Sequence, residues 1–94
     1  MRVLTIEARL LACLSDGFAA GADPDAAPWP AETLDRVQGL LSEPVTVGMT
    51  AMIQADDEAL DCLETCFTVG AEGDEDVLEA DYAAVLEAIR QARR

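Results

Sequence analysis

Apolar residues recur with a helical period in four stretches of the chain. Ile6, Leu10, Cys13 and Leu14 follow the spacing of one buried helix face, and Thr5 is placed to cap a helix running to about Ala20, with Gly17 and Gly21 as stop signals. Leu34, Val37, Leu40 and Leu41 give a second stripe. Pro30 suits the first turn of that helix, where its missing N–H does no harm, and Trp29 just before it is placed to pack back on the same turn. In the third stretch Asp56 or Asp57 caps a helix to about Val69. Leu60, Leu63, Cys66 and Phe67, with Ala59 and Cys62, occupy one half of its circumference, and Asp57, Glu58, Asp61 and Glu64 the other. Asp74 or Asp76 caps the fourth, striped by Leu78, Tyr82, Val85, Leu86 and Ile89. Arg90, Arg93 and Arg94 lie at its C-terminal end, where positive charge complements the helix dipole.

Between these stretches lie breaks. Gly21 to Trp29 holds two prolines and two aspartates and reads as a loop; Ser42-Glu43-Pro44 is a second break; Gly70-Ala71-Glu72-Gly73 ends the third helix. Residues 45–54 are ambiguous. Val45, Val47, Met49, Ala51 and Ile53 alternate as in a strand, whereas Val45, Met49, Met52 and Ile53 also fit a helix. A strand there has no evident partner except residues 1–6, so helix is favoured. The expected fold is all-α: one domain spanning 1–94, a compact bundle of four to five short helices, with short strands at 1–6 and 45–53 as a minor alternative.

Composition adds a strong charge bias. Nineteen acidic residues face six basic ones, all Arg, for a net charge of −13; Lys, His and Asn are absent. Direct nucleic-acid binding is excluded, because affinity for a phosphate backbone comes from cations. An anionic membrane surface is disfavoured for the same reason, and a basic protein surface is the natural partner. The 51% of apolar residues, periodically placed, argue for a folded chain over an acidic disordered one. No apolar run is long enough to span a bilayer. Glu7 and Arg9 interrupt the first apolar run, unlike a secretion signal. Three cysteines, an odd number, argue against a disulfide framework, which points to a reducing cytoplasm.

The residue inventory also bears on chemistry. Without His or Lys, a Ser or Cys nucleophile lacks its usual base, and no carboxylate pair stands out from the many, so no catalytic residue is assigned. Cys62 and Cys66 share a helix face, but three Cys and no His fall short of a structural zinc site; all three read as small core residues. Counting an EF-hand loop from Glu72 puts Val77 at the Gly position and Ala83 at the final Glu position, so it fails. Gly70-Ala71-Glu72-Gly73 is too closely followed by acids to cradle a phosphate. No metal or cofactor is expected.

What remains is the acidic stretch. From Gln38 to Ile89 there are thirteen Asp or Glu and no basic residue, and eleven of them fall between Asp56 and Asp81. The expected partner-binding residues are Asp56, Asp57, Glu58, Asp61, Glu64, Glu72, Asp74, Glu75, Asp76 and Glu79. Like charges at helical spacing are destabilising, so a face of one sign calls for a reason. Bulk adaptation to high salt predicts an even spread, whereas residues 1–36 carry six acids against three Arg. Two binding roles fit better. In the first, the chain is an inhibitor or nucleic-acid-mimicking decoy that docks on a basic surface, such as the nucleic-acid channel of a host defence complex of CRISPR type. In size and composition the chain is similar to the small acidic inhibitors of mobile genetic elements, phage anti-CRISPR proteins among them, a similarity that assigns no residue. In the second, it is an adaptor or structural subunit that binds through an apolar patch including Met49, Met52 or Trp29.

Overall fold

The computed structural model describes residues 2–23, 29–72 and 78–94. They form, in order, β1 (Arg2–Glu7), a 3-10 turn (Ala8–Leu10), α1 (Leu11–Gly21), α2 (Ala31–Ser42), β2 (Val45–Val47), β3 (Thr50–Ala55), α3 (Asp57–Glu72) and α4 (Glu79–Arg93). The molecule is mostly helical, with a small antiparallel sheet of strand order β1-β3-β2.

The sheet corrects two readings. Residues 45–54 are a β-hairpin and not a helix, and Thr5 sits inside a strand instead of capping a helix. The chain start is the partner that residues 50–55 needed, pairing Leu4 with Ile53 and Ile6 with Ala51. The hairpin turns on Gly48 and Met49, the two residues between the paired Val47 and Thr50. Gly48 has φ +63°, and a glycine with positive φ at the first position of a two-residue turn matches the twist of the strands it joins. Period-2 patterning then separates the faces: Leu4, Ile6, Ala51, Ile53 and Ala55 point inward and are buried.

Helices cover that inner face and join it in one core with Leu10, Leu14, Phe18, Leu34, Val37, Leu41, Leu60, Leu63, Phe67, Val85 and Ile89 among others. The closest packing is between α1 and α3. Gly17 and Gly21, one turn apart on α1, meet Gly70 and the Cys66 carbonyl on α3 so tightly that a Cβ on Gly21 or Gly70 would overlap main-chain atoms of the other helix. Of the two stop signals that the sequence suggested in α1, Gly17 is not one, whereas the helix does end at Gly21. Gly17 lies mid-helix, Gly21 is the last residue of α1, and α3 runs through Gly70 to Glu72.

Other boundaries follow local chemistry. Asp56 is the cap of α3, its Oδ1 accepting the Ala59 N–H at 2.8 Å. The apolar half of α3 is buried as its period requires. Pro30 stands immediately before α2 as its N-cap, and Trp29 packs half-buried on the core. Leu78 caps α4 and is exposed instead of joining its stripe. Tyr82 stacks on Phe67, with ring centroids 5.6 Å apart. The capping role expected of Asp74 or Asp76 lies outside the described residues.

Candidate functional site

The cap and first half of α3 carry five of the ten acids expected to meet a partner, and the fold brings arginines from three other elements onto them. Arg2 of β1 pairs with Asp57. Arg36 of α2 reaches Asp56 at 3.0 Å and Glu58 at 3.7 Å, and Glu58 also accepts the Thr33 hydroxyl at 3.2 Å. Arg93 of α4 pairs with Glu64 and lies 3.5 Å from Asp61, while Arg90 lies 3.7 Å from Glu64. Four guanidiniums thus face five carboxylates. The strip is close to electrical balance, although the segment that carries it contains no basic residue of its own. Asp56 is held below the ordinary carboxylate range, first by the Ala59 N–H and then by Arg36.

Arg9 forms a similar clamp, 2.6 Å from Glu7 and 3.1 Å from Asp81, which ties the end of β1 to α4 and raises the guanidinium above its ordinary value. Arg2 also donates to the carbonyls of Ala92 and Arg94, drawing the end of α4 onto β1. Glu72 and Glu79, at the end of α3 and the start of α4, are exposed. Asp74, Glu75 and Asp76 lie outside the described residues. The structure therefore gathers Asp56, Asp57, Glu58, Asp61 and Glu64 into one strip, apart from Glu72 at the far end of α3 and Glu79 at the start of α4. Reading charge along the chain missed the arginines because every clamp on α3 spans at least 20 residues of sequence.

The second feature is the outer face of the sheet. Val3, Thr5 and Glu7 of β1, Thr50, Met52 and Gln54 of β3, and Val45 and Val47 of β2 share it by register. Thr5, Glu7 and Gln54 are exposed, and Thr50 and Met52 are half-buried. Val3, Val45 and Val47 are exposed, and Met49 at the turn is 84% exposed. At one side of this face, Val3, Leu40, Val45, Met52 and Ile53 wall a groove of about 350 Å³ whose polar lining is Glu43 and Gln54. Of the residues named for an apolar patch, Met49 is fully presented, Met52 lines the groove, and Trp29 is turned inward with its indole nitrogen buried. The alternation of Val45, Val47 and Met49 was the signal for this face; reading it as part of a helix concealed it.

The thiols sit elsewhere. Cys62 and Cys66 are buried on α3. Burial pushes the Cys62 thiol up to about 12, with Cys66 adding to the shift, and burial raises Cys66 as well. Among the described residues no group of three His, Cys, Asp or Glu is placed to hold a metal ion, and no helix is long and apolar enough to cross a membrane. Comparison of the chain with protein-family models, with curated proteins and with solved structures finds no match.

Proposed function

We propose that the chain is a non-catalytic binding protein that docks on a basic protein surface through the outer face of its sheet, as an adaptor or inhibitory subunit of a larger assembly. The observation that carries this reading is the contrast between the two candidate surfaces. The acids from Asp56 to Glu64 are already engaged by Arg2, Arg36, Arg90 and Arg93, whereas Val3, Val45, Val47 and Met49 are exposed to solvent. Apolar contact supplies affinity, and the net charge of −13 steers encounter with a cationic partner.

The charge-led alternative, a mimic of nucleic acid seated in the channel of a defence complex, rests on the carboxylates that no described arginine meets, Glu72 and Glu79 among them, together with Asp74, Glu75 and Asp76. Affinity capture separates the two. The bait would be the wild-type chain, Val45→Asp/Val47→Asp, or Asp57→Asn/Asp61→Asn/Glu64→Gln, each at low and high salt. The sheet-face reading expects the valine pair to abolish capture and the acid triple to leave most of it. Capture that survives the valine changes and vanishes with the acid changes or with salt would overturn it in favour of the mimic.

A further inference from the structure

The groove beside β2 has a chemistry specific enough to say what enters it. Its walls are Val3, Leu40, Val45, Met52 and Ile53, and its charged lining is one carboxylate, Glu43; no cationic side chain lines it. Glu43 makes no ion pair among the described residues, unlike the acids from Asp56 to Glu64. Its volume of about 350 Å³ lies at the small end of ligand sites, a size suited to a side-chain anchor. A second copy of this chain is a poor occupant, because each copy carries −13.

The adjacent edge limits how such an occupant is held. The two-residue turn closes on Val47 and Thr50, so alternation along the ladder aims the N–H and C=O of Thr46 away from β3. Two residues earlier, Pro44 has no N–H to offer. The edge can add at most a short stretch of ladder, and the groove must supply the rest.

Resting on the sheet-face reading above, we propose that this groove receives one large apolar side chain from a short partner segment whose neighbouring Arg or Lys pairs with Glu43. The recognised chemistry is an apolar anchor with an adjacent cation.

Random peptides displayed on phage and selected against the intact chain test this. Enriched sequences are expected to combine Leu, Met or Phe with an adjacent Arg or Lys. Synthetic copies should bind Val45→Asp about thirtyfold more weakly or worse, the scale of losing an interface anchor. Glu43→Arg should exchange the cation for Asp or Glu in a repeated selection, with the apolar anchor retained. Failure to enrich any peptide, binding indifferent to Val45→Asp, or an unchanged cation preference with Glu43→Arg would each overturn the proposal. So would a concentration-dependent dimer that Val45→Asp disperses, since the face would then be taken by a second copy. If capture of the natural partner is lost with Val45→Asp/Val47→Asp while Glu43→Arg changes nothing, the groove assignment fails and the sheet-face reading stands.

Discussion

Gly21 of α1 and Gly70 of α3 face each other with only main chain between them. A Cβ on Gly21 would lie 2.9 Å from the Gly70 nitrogen, and one on Gly70 would lie 2.8 Å from the Gly21 nitrogen. Overpacking costs about 1–3 kcal/mol where neighbours can shift. Here the neighbour is backbone, so Gly21→Ala and Gly70→Ala should each cost about 3 kcal/mol or more and lower Tm by at least about 12 °C. Gly39, exposed in α2 with nothing within 4 Å of a built Cβ, is the control. Gly39→Ala should stabilise by about 0.5–1 kcal/mol through helix propensity. Thermal unfolding followed by circular dichroism reads both; a Gly70→Ala chain with unchanged Tm would mean that the helices are not in backbone contact.

Arg93 bridges Asp61 and Glu64 from the far end of the chain. Removing it leaves two carboxylates three positions apart on one helix without their shared cation. Exposed pairs are each worth at most about 1 kcal/mol. Arg93→Ala should therefore lower stability by about 1 kcal/mol in dilute buffer, and the gap to wild type should narrow in 1 M salt, where screening acts within about 3 Å. Urea titrations at the two salt concentrations measure this, and a gap that stays constant would assign the loss to packing.

Asp56 provides a pH test. Its carboxyl is held below the ordinary Asp value by the Ala59 N–H and Arg36. A group depressed on folding contributes stability that is fully present above its unfolded value, about 3.9, and is lost as pH falls through the lower folded value. Asn can still cap a helix but does not titrate. Wild type should exceed Asp56→Asn by a constant margin from pH 7 to about 5, and the margin should close as the pH is taken below about 4. Urea unfolding at pH 7, 5 and 3 checks it; a margin that grew on acidification would contradict the assignment.

The buried thiols offer a measure of opening. With its thiol pushed up to about 12, Cys62 at pH 8 carries roughly three orders of magnitude less thiolate than a free cysteine of about 8.5. Native-state alkylation at pH 8, mapped by mass spectrometry, should leave Cys62 and Cys66 unmodified on the timescale that consumes a model thiol, and both should react in urea. Rapid native labelling of Cys62 would mean that α3 is not buried as described.

The amphipathic pattern of α2 and α3 was legible because each places its apolar residues on a single face, and Asp56 was legible as a cap because capping is local. Residues 45–54 were not, since nine or ten residues admit both periods and only the pairing with β1 decides between them. Gly17 was misread as a stop, and the packing role of Gly17, Gly21 and Gly70 was missed, because glycine's backbone freedom is visible in sequence, whereas its missing side chain gains meaning only once the opposite helix is known. The arginines that meet the acidic stretch were hidden for the same reason. Opposite charges 20 to 55 positions away neutralise Asp56 and Asp57, and no window along the chain contains both partners.

Met49 combines the greatest exposure among the described large apolar side chains with a tethered backbone. It closes the hairpin turn beside Gly48, and its carbonyl accepts the Ala8 N–H at 2.8 Å, which pins the turn to the end of β1. Ordering a free loop residue costs about 1–2 kcal/mol of backbone entropy; here the fold has already met that cost. A surface arriving at Met49 restrains only a thioether, unbranched and able to reshape itself. The turn is thus a point on the surface fixed in place and lenient in form.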